Sequence, residues 1–198
     1  NPTFSVASIT ANTDGTVSNV NLAAGTFDFE PTAGFTGTAV VNYAVQDDGC
    51  PLPAATSAPA TISITVSGPV IWFVDASVAG PGDGRLSNPF KNLTGATSAD
   101  AVDAANQRIF VFSGTYASGI TLNSGEWLIG QGVSGASFDA VFGITPPLGT
   151  IARPSIGGTR PTLQNTVTMD TNSQVKGLNI ASTTNAGITA SGKTGLVT

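Results

Sequence analysis

Between Arg108 and Thr198 short apolar pulses recur, separated by Gly, Ser, Thr or Asn: RIFVF, GITL and EWLIG, then NTVTM, VKGLNI, AGIT and GLVT. Val111, Ile120 and Ile129 lie nine residues apart, and Val167, Leu178, Ile188 and Val197 follow one another at steps of 11, 10 and 9. A strand-plus-turn unit this short cannot enclose a core of its own and must stack on its neighbour. The spacing therefore predicts a β-solenoid over the C-terminal two-thirds of the chain. Residues 131–163, rich in Gly and Pro, interrupt the period, and a loop of that length is expected to be functional or a lateral excursion from the stack.

Upstream the rhythm changes. From Thr3 to Val66 alternating strands are broken by turn signals: FSVASI, Asp14-Gly15, a pulse around Val20, Gly25, TFDFEP, Gly34 and Gly37, AVVNYAV, then TISITV. Phe27 and Phe29 fall on one face, as do Val41, Tyr43 and Val45, while Asp28 and Asn42 face the other way, which is sandwich patterning with one wet face. The junction Val66-Ser67-Gly68-Pro69-Val70 is too short for a flexible tether. The expected organisation is a sandwich over 1–68 and a solenoid over 69–198.

The run TFDFEPTAGFTGTAVVNYAVQDDG, closed by ATISITV, resembles the C-terminal part of cadherin-like immunoglobulin-type repeats of bacterial surface proteins. Phe29, Pro31, Gly34, Phe35, Gly37, Tyr43 and Asp47 carry the likeness. Such repeats usually have a further pair of strands and an acidic loop before the point where Asn1 stands. The sandwich is thus expected to lack its N-terminal strands, cut off or supplied by another chain. The resemblance also implies calcium, with Asp14, Asp47 and Asp48 as candidate ligands; the competing reading is solvated turn acids.

A second resemblance begins at VIWFVDASVAGPGDGRLSNPFKNL. Phe73-Val74-Asp75, Gly82-Asp83-Gly84 and Asn88-Pro89-Phe90 resemble the opening of right-handed parallel β-helix proteins secreted by bacteria, and the likeness runs on through 70–198. It implies a short helix across the first coil. SADAVDAAN, 98–106, is the expected cap helix, with Ser98 as N-cap and Asp100 in its first turn. The expected fold is all-β: a partial Ig-like, cadherin-like sandwich followed by an N-terminally capped right-handed parallel β-helix.

Charge and chemistry narrow the function. Twelve acids against seven bases leave a net charge of −5, without the basic footprint that nucleic acid or an anionic membrane requires. Residues 1–68 hold five acids and no Lys or Arg, so the acidity sits there. The chain has no His, which excludes His-based triads and metal sites, and its single cysteine, Cys50, reads as a free loop thiol. The apolar run Val70–Val74 is too short to cross a bilayer, so no membrane insertion is expected in this segment. The acids Asp75, Asp83, Asp100, Asp103, Glu126, Asp139 and Asp170 are scattered without the pairing that glycoside hydrolysis uses.

Lys176 and Lys193, 17 residues apart, either stack on one face or are isolated surface cations. Asn92-Leu93-Thr94 is a weak glycosylation sequon. Thr166 and Thr168 read as outward strand threonines, since the later strands do not repeat Thr-x-Thr.

The sequence is read as a piece of a larger secreted or surface-anchored bacterial protein that continues past Thr198. Its expected role is a non-catalytic stalk and presentation scaffold, extracellular and adhesive, in a filament-like array of repeats. The expected partners are other domains of the same long chain, neighbouring subunits, or host and environmental glycans. Two alternatives stay open: the N-terminal part of a carbohydrate-active β-helix enzyme, of lyase or glycosidase type, and a subunit of a self-assembling extracellular filament built by strand exchange.

Overall fold

The computed structural model describes residues 3–50, 52–182 and 185–198; Asn1, Pro2 and Pro51 of the expected sandwich and Thr183 and Thr184 of the expected solenoid lie outside the described residues. Strand makes up 37% and helix 4%, so the chain is all-β. It divides into two compact units, Asn1–Gly68 and Pro69–Thr198.

In the first unit β1 (Phe4–Ala11), β4 (Gly37–Asp47) and β5 (Ala60–Val66) form an antiparallel sheet with β4 in the middle. β2 (Gly15–Asn21) and β3 (Thr26–Pro31) make a separate antiparallel pair. β4 alternates as a half-buried strand should, with Ala39 and Val41 fully buried. Yet this unit encloses little apolar surface. Among its described apolar side chains only Ala39, Val41 and Ala44 are buried, while Phe4 is 71% exposed and Val20, Leu22 and Ile62 are also open.

The described strands of the second unit pair in parallel. β6 (Ile71–Val74), β7 (Arg108–Val111), β10 (Trp127–Gly130) and β13 (Gln174–Lys176) form one sheet in the order β13-β10-β7-β6. β8 (Thr115–Tyr116), β11 (Thr162–Leu163) and β14 (Asn179–Ile180) form a second, and β9 (Ile120–Thr121), β12 (Val167–Thr168) and β15 (Ile188–Thr189) a third. From β7 onward the chain visits the three sheets in rotation, laying one strand in each per circuit. Ile109, Val111, Tyr116, Ile120, Leu122, Leu128, Leu163, Val167 and Met169 are buried along these circuits.

Corners keep the circuits in step. Asn106, Gly125 and Asn172 precede β7, β10 and β13 of the first sheet and Gly195 precedes Val197, which bridges to Gln174; all four are left-handed, with φ of 65°, 71°, 59° and 69°. The first three each donate to the next corner: Asn106 N to Ser124 O at 2.9 Å, Gly125 N to Thr171 O and Asn172 N to Thr194 O at 2.8 Å. Asn and Gly are the residues that tolerate this conformation.

Two expectations are corrected here. No helix spans 98–106: the segment holds only a 3-10 turn at Ala99–Ala101, beside β6. Ser98 does not cap it, because its hydroxyl donates to Gly95 O at 2.8 Å. Ala104 N donates to the Gln107 side chain, and Asn106 serves the corner, so the donors a longer helix would use go elsewhere. The helix that does form, α1 (Phe138–Phe142), lies inside the 131–163 interruption. Ser137 Oγ accepts from Ala140 N at its start and Gly143, at φ 64°, ends it.

That interruption is packed down. Phe73, Phe110 and Ile129 stand in register on β6, β7 and β10. Because strand residues alternate faces, they lie opposite Trp72, Ile109 and Leu128. Val133, Phe138 and Phe142 cover them, forming a second core outside the first sheet. Phe138 and Phe142 stack at 4.4 Å between centroids, and Phe138 meets Phe110 edge-on at 5.2 Å.

Candidate functional site

The three candidate calcium ligands do not converge. Asp47 pairs with Phe4 and Val41 with Ala11, so Asp14, beyond Ala11, lies past the opposite end of β1. Seven strand steps separate the two ends, about 23 Å. Asp47 Oδ1 accepts from Gly49 N and Ala55 N, both at 2.9 Å. Asp48 Oδ2 accepts from the backbone N and hydroxyl of Thr3 at 3.0 and 2.9 Å, which holds its carboxyl below the usual range. Asp14 sits in the turn after β1, where its N–H donates to Asn12 Oδ1. Among the described residues no cluster of three or more His, Cys, Asp or Glu could hold a metal ion.

Several acids of the second unit are paired or bonded locally. Asp83 Oδ2 accepts from Arg85 Nε at 3.0 Å and Nη2 at 2.6 Å; burial would raise its carboxyl, but these donors hold it low. Asp139 pairs with Arg153 at 3.2 Å and Asp170 with Lys193 at 2.9 Å. Lys193 thus belongs to a corner, while Lys176 follows Ile129 in the register of the first sheet, so the two lysines do not share a face. Asp75 Oδ1 accepts from the backbone and hydroxyl of Ser77.

Two carboxylic residues behave differently. Glu126 is fully buried and Asp103 half-buried, and their carboxyls meet. Asn123 clamps both: its N–H donates to Glu126 Oε2 at 2.8 Å and its side-chain amide to Asp103 Oδ1 at 3.0 Å. The remaining oxygens, Asp103 Oδ2 and Glu126 Oε1, are buried without another partner. Burial pushes Glu126 up to about 8, helped by the Asp103 charge and opposed by the Asn123 N–H. Burial likewise raises Asp103, with Asp100 adding to the rise and its bond to Glu126 opposing it. Sequence reading set Asp103 on a cap helix and left Glu126 unpaired. The signal was the polar residue following the first three left-handed corners, Gln107, Glu126 and Ser173, which marks a half-buried or buried position beside the stack.

Two grooves open on the second unit. One, of about 610 Å³, lies where the 131–163 excursion leaves and rejoins the circuits, with Val133, Leu178 and Ile180 as apolar lining. Arg160 and Lys176 line it, and neither has an ion pair among the described residues. The other, of about 370 Å³, lies between Lys91, Asn92, Thr115 and Tyr116. Asp103 and Glu126 line neither groove.

The threonines are also rearranged relative to expectation. Thr168 does belong to a ladder, with Thr121 and Thr189 in register on the third sheet. Thr189 Oγ1 and Thr168 Oγ1 are hydrogen-bonded at 3.1 Å. The column is one residue wide, because Thr166 falls beside Gly119 and Gly187 in the same register.

Compared with protein-family models, curated proteins and solved structures, the chain gives no match in any of the three.

Proposed function

We propose that this chain is a non-catalytic structural and adhesive segment of a large extracellular bacterial surface protein. In this reading the first unit is a partial immunoglobulin-like, cadherin-like sandwich and the second is the start of a right-handed parallel β-helix. One observation carries it: strands of two to four residues pass in rotation through three parallel sheets, with their corners bonded column-wise. Such a winding is stiff along its axis and exposes ladders of side chains on its flanks, which suits a stalk that presents surface to other domains, subunits or glycans. The open apolar residues Phe4, Val20, Leu22 and Ile62 of the first unit fit a sandwich that is completed by further strands.

The test is surface display. Antibodies raised against this chain are expected to label intact source cells, and deletion of its coding segment is expected to reduce adhesion without removing an enzymatic activity. Labelling confined to permeabilised cells would overturn the reading.

A carbohydrate-active function is the second reading, favoured by the unpaired Arg160 and Lys176 at the larger groove. Turnover of pectin or alginate by the purified chain, lost on Lys176→Met, would establish it instead. The filament reading predicts concentration-dependent growth in light scattering, and a monodisperse monomer at high concentration counts against it.

A further inference from the structure

We propose that Asp103 and Glu126 share one proton across their facing oxygens, and that this proton latches the segment 93–106 to the first corner of the winding. Each acid already gives one oxygen to Asn123, and the other oxygen of each, Asp103 Oδ2 and Glu126 Oε1, is buried without a hydrogen-bond partner. Two carboxylates in contact and buried resist ionising together, because the Asn123 donors offset only part of their repulsion and lost hydration.

The surrounding charges compensate the pair only in part. Arg108, on β7, feels Glu126, but its Nη1 donates to the carbonyls of Asn106, Gln107 and Gly125 and its guanidinium lies 3.7 Å over the Trp127 ring. Asp100, on the same segment as Asp103, adds negative charge. On the next circuit the matching buried position is Ser173, which is neutral, and Asp170 there is already paired with Lys193. Gln107, the matching residue of the preceding corner, is neutral and accepts from Trp72 Nε1 and Ala104 N. A proton, held as a carboxyl–carboxylate hydrogen bond, therefore has to neutralise the contact.

The latch holds Asp103 to Glu126, and so holds the segment that buries Leu93, Ser98 and Ala99. The folded chain keeps a proton that the unfolded chain releases near the ordinary glutamate value of 4.5, and loses it only near 8. Its contribution is therefore complete below about pH 4.5 and declines as pH rises toward about 8, by up to about tenfold in the folding equilibrium per pH unit. Because the carboxyls are in contact, they titrate as a pair. Alkaline pH loosens the segment and acid tightens it.

The experiment follows unfolding by denaturant for the full chain at pH 5, 6, 7, 8 and 9, for wild type, Glu126→Gln and Asp103→Asn. Infrared spectra of the same samples record the protonated carboxyl. Wild type is expected to lose stability over this range, and to show at pH 6 a protonated-acid carbonyl band that Glu126→Gln removes. Glu126→Gln, which keeps a neutral side chain at the contact, is expected to flatten the profile and to match or exceed wild type at pH 8. A flat wild-type profile, or no protonated-acid band at pH 6, overturns the proposal. So does calcium chloride that stabilises wild type but not Glu126→Gln, since a cation would then be the bridge. Should Glu126→Gln fail to fold, the wild-type profile and band together with Asp103→Asn decide the matter.

Discussion

Replacing Phe138 by Ala tests whether the 131–163 excursion is part of the core or a loop laid over it. Phe138 is 3% exposed and sits among three other rings: stacked on Phe142 at 4.4 Å, edge-on to Phe110 at 5.2 Å and parallel to Phe73 at 6.0 Å. A buried phenylalanine removes about 150–200 Å² of apolar surface from water, worth about 4–5 kcal/mol at 25 cal/mol per Å². Measured Phe→Ala truncations in cores cost about 3–5 kcal/mol. α1 is five residues long and has little stability of its own, so the loss is expected to fall on the docking of the excursion rather than on the circuits beneath. Amide exchange is the assay. The protons of Val141, Ile144 and Gly157, which bond within the excursion to Ser137, Asp139 and Val133, are expected to exchange at least about 100-fold faster, from 1.4 kcal/mol per tenfold. Amides in β7 and β10 should change far less, and exposure of Phe73, Phe110 and Ile129 should raise binding of an apolar dye. Acceleration of the excursion amides below about fivefold, equivalent to about 1 kcal/mol, would show that the ring cluster does not hold the excursion down.

Three further outcomes are expected. Gly125→Ala should destabilise by about 1–2 kcal/mol or more in thermal unfolding, because its φ is 71° and its new Cβ would lie 2.2 Å from Asn106 Oδ1. Adding Asn106→Gly should restore part of the loss, and strict additivity would refute the collision. Tyr116→Phe should cost about 1–3 kcal/mol, since the hydroxyl accepts from Ala76 N at 3.1 Å and lies 2.9 Å from Phe112 O. Burial pushes that phenol up to about 12, so its share of stability is complete below the ordinary value of 10.0 and lost as pH climbs toward 12; ultraviolet titration should show a phenolate phase there that Tyr116→Phe removes. Asp47→Ala should cost about 1 kcal/mol with or without calcium, because it strips the acceptor from Gly49 N and Ala55 N; a calcium-dependent rise in Tm that this variant abolishes would reinstate a metal role.

The strand pulses of the second unit were legible because most of its strands carry buried apolar residues: Val111, Ile120 and Ile129 are all buried, although Ile129 lies on the opposite face of the first sheet from Val111. The helix over 98–106 was misread because alanine content reports propensity, whereas Ser98, Ala104 and Asn106 are committed to bonds with Gly95, Gln107 and Ser124. α1 escaped notice because five residues show no helical period, although Ser137 and Gly143 mark both of its ends. Nor did the chain order reveal Asp103 beside Glu126, since their meeting depends on which corner stacks on which. The arrangement of the first unit's acids was illegible for a related reason: Asp14 and Asp47 look equivalent as turn residues, and only the β1–β4 register separates them.

What sets the register of the circuits is therefore better sought at the corners than in the strands. Strands of two residues, such as β8, β9, β11 and β12, make too few ladder bonds to resist a slip, and their apolar residues are interchangeable in character. The left-handed corners are not interchangeable. Asn106 leans its side chain into the space where a Cβ on Gly125 would stand, and Asn172 does the same over Gly195, with Oδ1 only 2.2 and 2.0 Å from those positions. A slip that set Asn106 above Asn172 would drive its amide into a real Cβ. The alternation of Asn and Gly thus favours one stacking of the corners. The same stacking brings Asn123 beneath the 93–106 segment, where it clamps Asp103 and Glu126 together.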